Sequence, residues 1–355
     1  MKTQNIKINN PFNPQFGRTP DVFLGRDNVV NEFVSGLDDI NSMNRATIIA
    51  GVRGSGKTAI LSDVKSLIVD KNRIVIDTTI FDGFLTDIID QAIKQSAKNI
   101  LKKIPYLTSL SALSFGVGIT PQNATHIPGF KSIITDIAEE NKNKQIVFIL
   151  DEVHNKSHEM REFIATYQHL VRDGFDVAIL MAGTPDSVFD ILNDKVLTFF
   201  RSAYRVYLKN IDIRLVAYDY NVIFQNEVLA HEAAEASYGY PYLIQLVGYY
   251  LYKDRHRDLQ RTILQSKIEL FRNVHELIFY GLSDGDKRFL NAMNNGENIV
   301  SFSDIVVKMG VAKNYASSYR RRLLDSGLIE EVGYGKLRFA LPYMGEFLLE
   351  ISRMI

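Results

Sequence analysis

Short apolar runs alternate with longer amphipathic segments over the first two hundred residues. The apolar runs have the length of strands and are rich in Ile and Val, which is typical of buried parallel strands. The segments between them carry apolar residues at helical spacing. This alternation predicts an α/β fold, a parallel sheet with helices on both faces. The predicted strands are 46–50, 73–78, 145–150, 176–181 and, with a weaker pattern, 204–208.

Beyond about residue 211 the strand pattern stops, and amphipathic helical patterns succeed one another. The second and third are separated by Gly239-Tyr240-Pro241, where Gly ends one helix and Pro begins the next. We therefore predict a helical region over 211–281. Its predicted helices are 213–224, 227–236, 241–251 and 262–280.

The chain from Ser283 onward has a third pattern. A helix start at 283–286 and a short helix over 303–309 precede a longer helix over 313–325, whose predicted buried face carries Tyr315, Tyr319 and Leu323. Three helices and then a Gly-rich hairpin predict a winged helix-turn-helix. The hairpin strands are 328–331 and 337–340, and the predicted domains are 1–210, 211–281 and 282–355.

The segment 101–129 fits none of these patterns. Its stretch 113–120 alternates weakly between apolar and polar residues, so a hairpin and a surface loop both stay open. If the segment protrudes, it is a candidate contact for a partner or for DNA.

Composition narrows the possible chemistry. The 355 residues include 41 Lys plus Arg and 41 Asp plus Glu, so net charge gives no argument for a nucleic-acid partner. Cysteine is absent, which excludes disulfides and thiolate catalysis. No apolar run approaches membrane-spanning length, and the N-terminus is polar. We expect a cytoplasmic protein without a membrane partner.

Residues 51–58 read Gly-Val-Arg-Gly-Ser-Gly-Lys-Thr and match the phosphate-loop pattern at every fixed position. An apolar run precedes the motif and a helical pattern comes after it, so backbone N–H groups can face a phosphate chain. Lys57 is expected to reach the outer phosphates of ATP or ADP, and the Thr58 hydroxyl to hold Mg²⁺. The candidate nucleotide-binding residues are Gly51, Arg53, Gly54, Ser55, Gly56, Lys57, Thr58 and Ala59.

Two carboxylates come directly after the apolar run 146–150. Asp151 is expected to orient Mg²⁺, and Glu152 to polarise the water that attacks the terminal phosphate. The next predicted strand leads into Thr184, our candidate for sensing that phosphate. The alternative for Thr184 is a helix N-cap before Pro185.

These residues together resemble the AAA+ ATPases, and within them the origin-recognition and initiator-like proteins that end in a winged helix. The resemblance implies that Val22, Phe23 and Leu24 pack on the adenine, and it makes 211–281 the lid of such proteins. It also implies an interfacial arginine that enters a neighbouring subunit's site, and therefore self-association. Arg201 is the first candidate for this role and Arg205 the second.

The lid departs from the initiator pattern because Gly239-Tyr240-Pro241 stands where those proteins carry a Gly-x-x-Arg. A Gly-x-Pro is more similar to the signalling branch of P-loop ATPases, where it closes over the nucleotide. The resemblance thus makes Gly239 and Pro241 candidate nucleotide contacts and permits a slowly hydrolysing switch.

The winged helix has a local basic run. Lys313, Arg320 and Arg321 are expected on one exposed helix face, and Lys336 on the wing. In a winged helix these positions meet DNA. The alternative is that the arginines pair with nearby acids such as Asp325. Two functions therefore stay open: an ATP-driven switch that assembles on DNA, and a signalling or defence switch whose winged helix docks to a protein.

Overall fold

The computed structural model describes residues 10–15, 25–70, 72–96, 100, 129–154, 158–194, 198–255 and 258–354. Val22, Phe23, Leu24 and residues 101–128 lie outside this set, so the predictions made for them are not addressed by the structure. The described residues fall into two compact units. One contains 28–50 and 60–207, and the other contains the described part of Met1–Asp27 together with Gly51–Ala59 and 208–354.

The first unit contains a five-stranded parallel sheet in the order β2-β3-β4-β1-β5. Its strands match the predicted apolar runs to within two residues at either end. The bounds are β1 Ala46–Ala50, β2 Arg73–Thr79, β3 Gln145–Asp151, β4 Val177–Gly183 and β5 Tyr204–Tyr207.

Every residue of β3 and β4 is buried, so both faces of the central strands are covered, as a parallel sheet with helices on both faces requires. Phe148 of β3 packs edge-to-face on Phe163 at 5.3 Å between ring centroids. The helices of this unit whose bounds the structure describes are α1 Asp27–Gly36, α2 Lys57–Ile68, α3 Phe84–Gln95, α4 Phe130–Glu140, α5 His158–Arg172 and α6 Pro185–Asn193; α1 and α2 begin in the other unit.

The strand register determines which residues share the carboxyl edge of the sheet. Ala50, the last residue of β1, pairs with Gly183, and Leu150 of β3 pairs with Met181. The end of β1 and the Asp151-Glu152 pair therefore lie at the same edge, where ligands of parallel α/β sheets bind.

In the second unit, the region predicted as a lid contains α7 Ile213–Phe224, α8 Glu227–Ser237, α9 Pro241–Lys253, α10 Leu259–Leu270 and α11 Glu276–Gly281. The helix predicted over 262–280 is present, and it contains a π-helical turn, Phe271–His275, between α10 and α11 that the sequence pattern did not predict. This wider turn buries the consecutive residues Val274 and His275. Phe12 belongs to the lid core, where its ring packs on Tyr220 and Phe224.

The C-terminal part of the same unit has the predicted order of three helices and a hairpin. Ser283 and Ser301 cap two of the helices through bonds from the N–H groups of Asp286 and Asp304. The elements are α12 Asp284–Met293, β6 Val300–Ser301, α13 Phe302–Met309, α14 Lys313–Asp325, β7 Ile329–Gly333, β8 Lys336–Phe339 and α15 Met344–Met354, with an antiparallel sheet in the order β6-β8-β7.

The buried face of α14 differs from the predicted one. Ala316 and Leu323 are buried, whereas half of Tyr315 is exposed and its hydroxyl meets that of Tyr319 at 2.6 Å. The prediction rests on the four-residue spacing of Tyr315, Tyr319 and Leu323, which is correct for Leu323. The small Ala316 takes the buried position that was predicted for Tyr315. The predicted domain boundaries stay a prediction. No helix in the described ranges has the length and apolar content to cross a membrane.

Candidate functional site

The phosphate loop, residues 51–58, begins directly after β1 and leads into α2, which starts at Lys57. Gly54 has φ +78° and Gly56 has φ +92°, both in the left-handed region that glycine adopts without a steric penalty. A side chain at Gly54 would also collide with the Tyr240 hydroxyl. Gly54 and Gly56 are therefore required by the backbone path.

Three consecutive carbonyls of the loop accept hydrogen bonds from groups of the same unit. The Tyr240 hydroxyl donates to the carbonyl of Arg53, the Tyr242 N–H donates to that of Gly54 at 3.1 Å, and Arg26 Nη2 donates to that of Ser55 at 3.3 Å. In a trans peptide the N–H points opposite the carbonyl, so these bonds direct the N–H groups of Gly54 and Gly56 away from the three donors.

Lys57 lies folded over the loop. Its Nζ donates to the carbonyls of Gly51 at 2.8 Å and Val52 at 3.2 Å. The Ser55 hydroxyl is buried and has no hydrogen-bond partner among the described residues. An ammonium held at the loop and an unsatisfied buried hydroxyl are both suited to a phosphate ligand, so these residues fit ATP or ADP.

Arg26 and Tyr240 are site residues that the sequence patterns did not single out. Arg26 is buried, which lowers the pKa of its guanidinium, and it also donates to the carbonyl of Lys209 at 2.7 Å. Tyr240 is fully buried. Both residues lie beside predicted motifs in the sequence, which could have marked them as candidates. Their hydrogen-bond partners are backbone carbonyls, however, and no side-chain pattern identifies those.

The acid pair has an unusual backbone. Glu152 adopts φ +52°, a left-handed conformation that is rare for a residue with a side chain. The Glu152 N–H donates to Asp151 Oδ1 at 2.8 Å, and the Val153 N–H donates to the carbonyl of Ala182 in β4 at 2.9 Å. These bonds hold a turn in which Asp151 is buried and Glu152 is exposed. Strained turns of this kind are concentrated at functional sites.

The donor set suits Mg²⁺, which prefers oxygen ligands and usually takes one or two from the protein, with phosphates and water completing its shell. Thr58 offers a hydroxyl in one unit and Asp151 a carboxylate in the other, and their joint binding of one ion stays a prediction. Within the described ranges no group of three or more His, Asp or Glu could form an all-protein metal site.

Two sequence families match the chain. Residues 40–192 match a family described as AAA domain, and residues 272–348 match a family described as a domain of unknown function (DUF8462). The first match includes the phosphate loop, the Asp151-Glu152 pair and Thr184. Residues 40–192 are thus similar to AAA domains. No curated protein matches the sequence.

Two solved structures share the fold. The Walker-type ATPase PABY2304 of Pyrococcus abyssi has a TM-score of 0.65 at 16% identity, covering 93% of this chain and 97% of that chain. The ORC2 protein of Aeropyrum pernix, solved as ADPNP–ADP complexes, has a TM-score of 0.57 at 14% identity, covering 96% and 97%. The predicted P-loop fold and the resemblance to AAA+ ATPases are confirmed. The likeness to the origin-recognition protein is a likeness of fold.

Thr184 comes directly after the last residue of β4 in the AAA domain and is the N-cap of α6. It is exposed, and its Oγ1 donates to Ser187 Oγ at 2.9 Å. The register places it at the carboxyl edge, next along the chain from Gly183. The N-cap position agrees with one alternative given for Thr184, and the position at the sheet edge is the one that the sensing role needs. The sensing role itself stays a prediction.

Arg201 lies in a 3-10 turn, Thr198–Ser202, that precedes β5 of the parallel sheet. β5 is parallel to β1, so this turn is at the amino edge of the sheet, opposite to Asp151. Arg201 is exposed, its Nε donates to the carbonyl of Leu192 at 3.2 Å, and Arg205 Nη2 donates to the Arg201 carbonyl at 2.5 Å. The interfacial role of either arginine stays a prediction.

Gly239 and Pro241 differ in their surroundings. Gly239 has φ +65°, its carbonyl accepts from the Ile211 N–H at 2.7 Å, and a side chain there would overlap the Ile211 carbonyl. Pro241 begins α9 and lies beside the phosphate loop, 3.8 Å from where a Cβ at Gly56 would be. Gly239 thus has a packing role, and contact of either residue with nucleotide stays a prediction.

The predicted basic face of α14 is correct for Lys313 and Arg321, which are exposed, and wrong for Arg320. Arg320 stacks over Phe302 at 5.1 Å and pairs with Glu331 at 2.9 Å, so only 25% of its side chain is exposed. Arg320 lies on the side of α14 that faces the small sheet, and its partner Glu331 belongs to β7 of that sheet. Lys336 is exposed on the wing, and DNA contact by all four residues stays a prediction.

Proposed function

We propose that the chain binds ATP or ADP with Mg²⁺ and hydrolyses ATP slowly. The observation that carries this proposal is the phosphate loop itself, with two left-handed glycines and three consecutive carbonyls turned to donors of the same unit. Such a loop offers N–H groups at a helix N-terminus, where negative charge is stabilised. The Walker-type ATPase of Pyrococcus abyssi, which has the same fold, is in keeping with this activity.

Each residue has a defined role in this proposal. The loop N–H groups and Lys57 bind the phosphates, and Lys57 exchanges its bonds to two loop carbonyls for phosphate oxygens. Thr58 and Asp151 would hold Mg²⁺, which when bound neutralises phosphate charge. Glu152 takes a proton from the attacking water.

Binding of Mg·ATP tests the first step. Lys57→Ala removes a charged donor to phosphate and should weaken binding by roughly ten- to a hundredfold. Lys65→Ala is the matched control, because Lys65 lies on the same helix and pairs with Asp77 at 2.7 Å. Saturable binding that Lys57→Ala leaves unchanged would contradict the proposed site.

We further propose that the nucleotide state controls self-association and assembly on DNA. Arg201 is at the sheet edge opposite to Asp151, which favours a role at the site of a neighbouring subunit. Mixing inactive Arg201→Ala with inactive Glu152→Gln should then restore some ATP turnover, because each subunit supplies the group the other lacks. Full activity of Arg201→Ala alone, with no rescue at any ratio, would contradict this role.

A protein-docking switch is the second candidate, and specific contacts favour it. Arg320, Arg321 and Arg322 all lie within 4 Å of an acid of their own domain. At the tip of the wing Tyr334 is fully exposed, which is common for aromatic anchors of protein interfaces.

A duplex-binding assay with ATP or ADP, titrated with salt, separates the two candidates. Binding through phosphates makes affinity fall steeply as salt rises, with a log–log slope of about −0.9 per contact. Steep, nucleotide-dependent duplex binding supports the DNA switch. The absence of duplex binding even at low salt would favour the protein-docking switch.

A further inference from the structure

Tyr240 joins the lid to the phosphate loop through one buried hydroxyl. The side chain is fully buried, and the hydroxyl donates to the carbonyl of Arg53. Burial raises the pKa of the phenol above its ordinary value, so the group stays a protonated donor at neutral pH. In an open loop a water molecule could donate to the Arg53 carbonyl. Here the buried phenol of Tyr240 donates in its place.

The neighbouring contacts act on the same stretch of loop. The Tyr242 N–H donates to the next carbonyl, that of Gly54. Arg53 Nε donates to the carbonyl of Asn273 in the π-turn at 3.2 Å, and the Asn273 amide donates to the Tyr242 hydroxyl at 3.1 Å. The lid therefore contacts Arg53 and Gly54 through both backbone and side chains.

The peptide between Arg53 and Gly54 needs an external constraint. Gly54 has no side chain and adopts positive and negative φ with similar ease, so its own conformational preference does not select one orientation of this peptide. The hydrogen bond from Tyr240 does select one, because it fixes the carbonyl and thereby the opposite N–H of Gly54. Without the hydroxyl, the carbonyl and the N–H could exchange directions.

We propose that Tyr240 is a positioning residue for the phosphate loop: its hydroxyl fixes the Arg53–Gly54 peptide so that the Gly54 N–H faces a bound phosphate. The lid thereby sets the affinity for the polyphosphate part of the nucleotide. The inference rests on the proposed nucleotide binding, and it adds that Tyr240 acts through the loop without touching the ligand.

Tyr240→Phe tests this role, and Tyr220→Phe is its matched control. Tyr220 is also fully buried in the lid, and its hydroxyl also donates to a backbone carbonyl, that of Ile244 at 2.7 Å. Each variant loses one buried hydroxyl bond, so both should lose similar thermal stability. Tyr240→Phe alone should bind Mg·ATP more weakly, by about five- to tenfold.

Tripolyphosphate is the second probe, because it reports on the phosphate loop without the base. Its affinity should fall by the same factor as that of ATP in Tyr240→Phe and stay unchanged in Tyr220→Phe. Wild-type affinity in Tyr240→Phe, or an equal loss in both variants, overturns the positioning role. If the wild type binds neither ATP nor tripolyphosphate, the proposed function itself fails.

Amide hydrogen exchange of the wild type keeps the inference testable even if Tyr240→Phe does not fold. A ligand that stabilises the loop must also stabilise the lid contacts that position it. ATP should therefore slow exchange at the start of α9, which includes the Tyr242 N–H, as well as in the loop. Protection of the loop with no change in α9 would overturn the inference.

Discussion

The phosphate loop and helix α14 each carry a short motif with a clear chemical prediction, yet their side chains meet very different surroundings. In the loop, the glycines adopt left-handed conformations and Lys57 lies over the carbonyls of its own turn. In α14, two of the three consecutive arginines are tied to acids distant in sequence: Arg320 to Glu331 and Arg322 to Asp286.

The difference lies in the groups that each motif uses. The loop acts through backbone N–H groups, whose directions depend on residues next to one another in the chain. A basic surface acts through side-chain charge, which depends on whatever packs beside it. A count of arginines therefore overstates the positive charge of α14, whereas the spacing of glycines describes the loop well.

The largest expected effect tests the acid pair at the sheet edge. Glu152→Gln removes a water-activating base and should lower ATP turnover by roughly 10²- to 10⁴-fold while Mg·ATP binding is kept. Glu139→Gln is the control, because Glu139 lies at the end of α4 beside the amino ends of β3 and β4. Steady-state phosphate release measures both. Turnover of Glu152→Gln at the wild-type rate would remove Glu152 from the mechanism.

The next effect concerns His275, whose complete burial could not be predicted from the sequence. Burial lowers its pKa to about 4, although carbonyls of Leu270 and Pro342 act in the opposite direction. The folded state therefore favours neutral His275. The full free energy of unfolding is present above the unfolded pKa of about 6.5 and is lost as the pH falls towards the folded pKa. Stability should fall by about 3 kcal/mol as the pH drops from 6.5 to 4.

Denaturant unfolding across this pH range measures the effect. His275→Gln does not titrate and should show a smaller loss of stability between pH 6.5 and 4 than the wild type. His231→Gln is the control, since His231 is exposed and pairs with Glu235 at 3.4 Å on the surface of the lid. Equal pH dependence in wild type and His275→Gln would show that His275 is not the responsible group.

A smaller effect distinguishes paired from exposed arginines on one helix. Arg322→Ala leaves the buried Asp286 carboxylate with its Ser283 contact and should destabilise the protein by about 1.5–3 kcal/mol. Arg321→Ala should cost less than about 0.5 kcal/mol, because its contact with Asp325 is 3.7 Å long and exposed. Equal melting temperatures of the two variants would contradict this division.

The smallest effect is on DNA, if the wild type binds a duplex. Lys313→Ala with Arg321→Ala should flatten the log–log salt dependence by up to about two contacts. Arg320→Ala should flatten it less, because three quarters of that side chain is covered by its own domain. A larger change from Arg320→Ala would show that the Glu331 pair opens when DNA binds.

Much of the fold could be predicted because periodicity reports burial directly. The bounds of β1, α7 and α14 agree with their sequence patterns to the residue. The π-turn could not be predicted, since its single additional residue leaves the helical pattern nearly unchanged over a short window. Arg26 and Tyr240 were missed for another reason: their partners are carbonyls, and every residue type has one.

The π-turn fixes how many residues the chain needs between α10 and α11. Each residue added to a helix rotates the remainder of that helix by about 100°, so the wide turn sets the angular phase between α10 and α11. Within the turn, the Asn273 carbonyl accepts a hydrogen bond from Arg53 Nε, and the His275 ring packs on Phe347 of α15 at 5.1 Å between ring centroids. Deleting one residue of the turn would rotate α11 relative to α10, and Asn273 and His275 could no longer keep their contacts with Arg53 and Phe347 together. The stretch therefore acts as a spacer of fixed length.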